Sequence, residues 1–223
     1  MDCKAVCFDL DGVLVDTAKY HYLAWSRLAE KLGFTFTIAD NERLKGVSRM
    51  RSLEILLEIG GIQATQDEKQ RYAELKNNWY VAYLEQMEES ELFPSVRAFL
   101  TDLRKAGIKT ALGSASKNAE MILEKLQICD LFDVIIDGNL TNRAKPDPQV
   151  FALAVQQCGV RPDECIVFED AYAGVEAGHA AGCFVVGIGK RENLPNADVV
   201  YASIDCLYQG AGTDVGKVLS SLS

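Results

Sequence analysis

The sequence predicts an α/β protein: a doubly wound parallel sheet with an α-helical cap domain inserted after the first strand. Three observations lead there. From about residue 94 onward, short unbroken apolar runs alternate with helical patterns, the form strands take when helices cover both faces of a sheet. Near the start, Ala5-Val6-Cys7-Phe8 reads as one more such strand. Between residues 17 and 90 the alternation stops, and only helical patterns remain. The expected core is therefore 1–16 plus 91–223, and the expected cap is 17–90, with hinges near Asp16 and Ser90.

Each element has a local reason. Residues 17–32 carry Tyr20, Leu23, Ala24 and Leu28 on one helical stripe, and Gly33 ends it. Ser48 opens a second cap helix through Leu53, Leu56 and Leu57, and residues 67–87 read as a long third. In the core, residues 94–106 form an amphipathic helix on Val96, Phe99, Leu100 and Leu103, stopped by Gly107. A strand at 108–112, a helix at 116–126 and a strand at 133–136 follow. Asp147-Pro148 opens a helix to Cys158, with Asp as cap and Pro at the first helical position. The remaining units are a strand at 165–168, a helix at 171–181, and strands at 184–188 and 199–201.

Composition narrows the function class. The chain has 223 residues, 48% apolar and 25% charged, and a net charge of −9. That acidity argues against general affinity for nucleic acid or anionic membrane, both of which favour basic patches. No apolar run reaches the ~18 residues of a membrane helix, and the N-terminus does not read as a secretory signal. The seven cysteines (Cys3, Cys7, Cys129, Cys158, Cys165, Cys183, Cys206) form no CxxC pair, and His21 and His179 are the two histidines, so no zinc spacing appears. Small core residues in a reducing cytoplasm account for most of these cysteines; a nucleophilic cysteine is the sharper alternative, without a nearby histidine in sequence.

In an open α/β sheet, ligands bind beyond the carboxyl ends of the strands. Those ends hold Asp9 and Asp11, Ser114 followed by Ala115-Ser116-Lys117-Asn118, Lys145, and Glu169-Asp170. Each has a plainer explanation: Asp-Gly is a turn pair, Ser116 a helix cap, Lys145 a solvated loop lysine, Glu169-Asp170 a cap. Together they describe a site for phosphoryl transfer. Clustered carboxylates beside a phosphate call for a hard cation, and oxygen ligands select Mg²⁺, with Asp9 and Asp170 the leading ligands. One carboxylate can attack phosphorus. Ser114 and Lys145 can bind the phosphoryl oxygens, and Asp11 can serve as general acid and base.

Asp9-Leu10-Asp11-Gly12, Ser114, Lys145 and Glu169-Asp170 resemble, in order and spacing, the four motifs of the haloacid dehalogenase superfamily, phosphotransferase branch. The resemblance implies that Asp9 is the nucleophile. It also implies that Asp11 is the acid/base and gives a backbone carbonyl to Mg²⁺, and that Glu169 and Asp170 join the metal site. Hydrolysis is the superfamily's usual outcome. A mutase must instead exclude water and hold a phosphate at both ends of its sugar. Cations that could do so are Arg49, at a cap helix start after Gly46-Val47-Ser48, Lys117, and Lys76, although a solvated helix face explains Arg49 and Lys76 as well. His21 lies four residues after Thr17 on one helix face; a structural role competes with a gating one.

The stretches DLDGVLVDTAKYHYLAW, LKGVSR, LGSASKN, AKPDP and FEDAYAGVEA are similar to those of the β-phosphoglucomutase subfamily. That similarity implies that Thr17, His21 and Lys76 couple closure to the acid/base. It implies phosphosugar binding by Trp25, Gly46, Val47, Ser48, Arg49, Ser52, Lys76 and Ser114 to Asn118, in a monomer. The substrates would be β-glucose 1-phosphate, glucose 6-phosphate and the bisphosphate between them. A sugar-phosphate phosphatase is the rival enzyme. A receiver-type signalling module shares the acidic pocket, but is about half this length and has no cap.

Overall fold

The structure is a computed structural model and describes residues 2–44 and 47–222. The chain divides into two compact units, Met1–Asp16 with Glu88–Ser223, and Thr17–Met87.

The first unit is a six-stranded, all-parallel sheet. Its strands are β1 (Ala5–Phe8), β2 (Lys109–Gly113), β3 (Val134–Ile136), β4 (Cys165–Glu169), β5 (Phe184–Ile188) and β6 (Val199–Tyr201). They lie in the order β3-β2-β1-β4-β5-β6, so the direction of winding reverses between β1 and β4. The strands are short; β1, β4 and β5 are almost wholly buried, as their unbroken apolar runs require, and the edge strand β6 is half-buried.

Period-two alternation sends their side chains to two cores. On one face, Cys7, Val167 and Val185 meet Phe151 and Ala154 of α7 (Gln149–Cys158) and Val175 of α8 (Tyr172–Ala180). Phe8 and Phe168 project from the same strands into the other core. Phe8 stacks on Phe168 at 5.1 Å and meets Phe99 of α5 (Val96–Lys105) edge-on at 6.0 Å. Two short helices, α9 (Ile204–Gly210) and α10 (Val215–Ser221), pack against α5 on that side, with Tyr208 5.4 Å from Phe99.

Where the chain leaves β1 it turns at Gly12 and returns as far as Val15, which forms an antiparallel bridge with Leu92; Phe93 N donates to Leu14 O at 2.9 Å. The outgoing and returning segments are thus fastened to each other within this unit. The return falls between Met87 and Glu88, three residues before the expected boundary, because the 3₁₀ turn Glu89–Glu91 belongs with the core: Glu89 pairs with Arg97 at 2.7 Å.

The second unit is helical, without a strand among its described residues: α1 (Ala18–Lys31), α2 (Ile38–Glu42), α3 (Arg49–Gly60) and α4 (Gln66–Leu84). Trp25 and Leu28, Leu53 and Leu56, and Ala73 form its core, so α1, α3 and α4 bury their apolar stripes on one another. Thr65 and Glu68 form a reciprocal capping box that fixes the start of α4.

Three helix starts differ from expectation; the smallest shift is at α7, which begins at Gln149 with Pro148, not Asp147, in the cap position. Residues 94–95 stay outside α5 because Ser95 takes φ +63° and its hydroxyl donates to Asp205 at 2.5 Å. The helix expected from Ser116 starts at Ala119, giving α6 (Ala119–Lys125). Hydroxyl groups intercept the backbone donors upstream: Ser114 Oγ accepts from Ser116 N at 3.1 Å, and Ser116 Oγ from Asn118 N at 3.2 Å. Ser116 therefore shapes a turn and does not cap the helix.

Phe99 is fully buried among Phe8, Phe168 and Tyr208. Phe99→Ala is expected to lower unfolding free energy by about 3–5 kcal/mol in urea titrations.

Candidate active site

Strand register builds the site. Phe8 lies level with Leu112 of β2 and Phe168 of β4, so the next residues, Asp9, Gly113 and Glu169, fall in one row at the winding reversal. The Asp9 N–H donates to Phe168 O at 2.9 Å, extending the ladder one residue past β1. Ser114 follows β2 and donates its N–H to Ile136 O of β3 at 2.9 Å; it is fully buried.

Lys145 reaches into this row from the loop before α7. Its Nζ donates to Asp9 Oδ1 and to Glu169 Oε1, each at 2.6 Å, and it lies 4.6 Å from the Phe151 ring centroid. At 5% exposure it is not a solvated loop lysine. The second Glu169 oxygen accepts from Ala171 N at 2.8 Å. Glycines make room for the acids. A Cβ at Gly174 would lie 1.8 Å from Glu169 Oε1, and one at Gly12, which also has φ +82°, would lie 2.1 Å from Asp170 Oδ2.

Oxygens of Asp9, Glu169 and Asp170 all lie within 4.8 Å of one another. Burial raises Asp9 to about 7 despite Lys145, and the charges of Glu169 and Asp11 add to the rise. Burial alone would lower Lys145, but Asp9 and Glu169 outweigh it, so the ammonium stays charged. One ammonium cannot neutralise Asp9, Asp11, Glu169 and Asp170 together. The donor set is all oxygen, and the excess negative charge suits a hard divalent cation.

Past β2, residues 114–118 form a hydroxyl-lined turn. Ser114 and Ser116 each use their oxygen as an acceptor for a backbone N–H two residues on, which leaves each O–H proton to donate elsewhere. Lys117 is exposed; Ala115, Ser116 and Asn118 are half-buried.

The helical unit has its own polar centre. Lys76 of α4 is only 2% exposed, which removes the solvated-face explanation. Its Nζ lies 2.9 Å from His21 Nδ1, 4.6 Å from the Trp25 ring centroid and 4.4 Å from that of Tyr80. His21 stacks on Tyr80 at 4.2 Å. Burial, reinforced by Lys76 and Arg49, holds the His21 ring well below the usual imidazole range, so the ring is neutral and Nδ1 accepts from Lys76. Thr17 is buried at the N-cap of α1. Ser48 caps α3 by accepting from Arg51 N at 3.3 Å, Arg49 opens that helix half-buried, and Ser52 is buried one turn on. Val47 packs against the helical core. Gly46 lies outside the described residues.

The model of the haloacid dehalogenase-like hydrolase family matches residues 3–182. The chain belongs to that family. It is 42% identical, over 88% of this chain and 88% of the relative, to a β-phosphoglucomutase of Bacillus subtilis. It is 36% identical, over 80% of this chain and 82% of the relative, to a phosphorylated carbohydrates phosphatase of Thermotoga maritima. A crystal structure of β-phosphoglucomutase from Clostridium difficile superimposes with a TM-score of 0.90 at 40% identity, covering 99% of both chains. The sheet order and inserted helical unit fit this haloacid dehalogenase-like fold.

Several supports of the haloacid dehalogenase-like site escaped the sequence reading. Phe151 under Lys145 and Gly174 beside Glu169 follow no regular spacing, and Tyr80, four residues after Lys76 on α4, carried a helix-face signal that went unread. Gly12 also carried a signal, as the glycine of an Asp-Gly turn.

Removing Lys145 leaves two buried carboxylates facing each other. Lys145→Met is expected to cost about 3–5 kcal/mol at pH 8 in EDTA. A carboxyl raised in the folded state binds a proton that the unfolded chain has lost. Stability from such a group therefore falls as pH rises from about 4 through the folded value, near 7 for Asp9. The variant's deficit should accordingly shrink at pH 5.5, measured as the shift in urea midpoint at each pH.

Proposed function

We propose that the chain is a Mg²⁺-dependent β-phosphoglucomutase, interconverting β-D-glucose 1-phosphate and D-glucose 6-phosphate through β-glucose 1,6-bisphosphate. The observation that carries this is the buried Asp9–Lys145–Glu169 constellation in a chain 42% identical to a β-phosphoglucomutase over 88% of both.

Asp9 and Asp170, with Glu169 and the main-chain carbonyl of Asp11, would hold Mg²⁺, which when bound offsets the acids' charge and that of the phosphoryl oxygens. An Asp9 carboxylate oxygen attacks phosphorus of the bisphosphate, and the bond from phosphorus to the sugar oxygen breaks. Asp11 gives its proton to that oxygen. In the return direction Asp11 takes the proton of a sugar hydroxyl, the hydroxyl attacks the aspartyl phosphate, and the bond from Asp9 to phosphorus breaks. Ser114 and Lys145 donate to the transferring phosphoryl oxygens throughout.

The second phosphate needs its own cations. We assign it to Arg49 with Ser48 and Ser52, and to Ser116, Lys117 and Asn118. Trp25, Val47 and Ala115 line the sugar, while Thr17, His21 and Lys76 govern when Asp11 is competent. The seven free cysteines suit a reducing cytoplasm, where we take the chain to act as a monomer. A sugar-phosphate phosphatase is the second reading, favoured by the 36% identity to the Thermotoga maritima phosphatase.

Phosphorus NMR separates the two. With Mg²⁺, β-glucose 1-phosphate and a trace of bisphosphate, glucose 6-phosphate is expected to accumulate. Inorganic phosphate released in step with substrate loss would sink the mutase reading. Arg49→Ala is expected to cut mutase flux about 10- to 100-fold, as loss of a charged donor does, while phosphoenzyme formation from acetyl phosphate changes little. Equal losses in the two assays would count against a two-ended pocket.

A further inference from the structure

The loop after β3 is shaped to hold the turn at 114–118. Ser114 N donates to Ile136 O, and two residues on the contact is reversed, with Gly138 N donating to Ser116 O at 3.1 Å. Asn139 Nδ2 then donates to Lys117 O at 3.0 Å. The same amide nitrogen donates to Asp137 Oδ2 at 2.6 Å, so both of its protons are used. Asp137 is buried at 8% exposure and outside the carboxylate cluster; its Oδ1 accepts from Asn139 N at 2.9 Å and Leu140 N at 3.3 Å. A Cβ at Gly138 would lie 2.3 Å from Ala115 O, so the two loops are in direct backbone contact.

The contacts form a chain with a direction. The Asp137 carboxylate fixes the Asn139 side chain, and Asn139 fixes the Lys117 carbonyl. That carbonyl belongs to the same peptide unit as the Asn118 N–H, which Ser116 Oγ accepts. The orientation of the Ser116 hydroxyl is thereby tied to Asn139, an exposed residue whose hydrogen bonds run to Asp137 and Lys117.

We infer that Asp137 and Asn139 are positioning residues for the phosphate that is not transferred, setting affinity for the second phosphate without acting in phosphoryl transfer at Asp9. This deepens the proposed function and rests on the reading that Ser116, Lys117 and Asn118 hold that phosphate. The ligand class is a sugar carrying two phosphate positions, one of which must be gripped while the other reacts.

The test compares donors on the full chain with Mg²⁺. Asn139→Ala is expected to raise KM for β-glucose 1,6-bisphosphate roughly three- to tenfold, the effect of one lost hydrogen bond. Phosphoenzyme formation from acetyl phosphate, a donor with a single phosphate, should stay within about twofold of wild type, and so should kcat at saturating bisphosphate. Asn139→Asp, which turns a donor into an acceptor facing the Lys117 carbonyl and Asp137, should raise KM further. Unchanged KM in both variants, or parallel loss with both donors, overturns the inference. A wild-type chain that releases inorganic phosphate would refute the mutase reading. The KM ratio between two-phosphate and one-phosphate donors would still decide the role of Asn139.

Discussion

One ammonium set among four acids is the constraint on which the rest of the core unit depends. Lys145 holds Asp9 and Glu169 at 2.6 Å, while Asp170 and Asp11 add negative charge that it cannot balance. Desolvated carboxylates at this density would normally take up protons. A hard cation among the oxygens of Asp9, Glu169 and Asp170 would offset that charge. Nearby features make sense as accommodations: two glycines that leave space for carboxylates, a phenylalanine ring beneath the ammonium, and a backbone N–H for the spare Glu169 oxygen.

The sheet supplies the precision. Three strands in register bring Asp9, Gly113 and Glu169 to one level, so the positions of these groups are fixed by a ladder of backbone hydrogen bonds. The fourth element, Lys145, arrives from a loop and is held by the acids themselves. The helical unit repeats the pattern in miniature: the buried Lys76 ammonium leans on two aromatic faces and a neutral imidazole. In both units a lysine is held out of water by neighbours of different chemical kinds, and Asp9 and Glu169 keep that of Lys145 charged.

Much of the fold was legible because its signals are local. Strands with two buried faces read as apolar runs, and Gly33, Gly107, Gly159 and Gly182 mark helix ends with positive φ. What escaped notice was short or non-local. Helix α2 has five residues, and α9 and α10 seven each, too few for a 3.6-residue period to declare itself. The start of α6 was misplaced because serine serves helix caps and hydroxyl turns alike. In the site, residues carrying charge stood out at strand ends, whereas the stacking of Tyr80 on His21 and the bond from Asn139 to Lys117 O join residues far apart in sequence.

The bridge between Val15 and Leu92 has an architectural consequence. A segment that departs and re-enters through paired neighbours leaves the sheet's threading as it would be if a tight turn stood in its place. Such an insert is a replaceable module. Exchanging it leaves the register of the strand ends as it is, a route by which one core can carry different inserts.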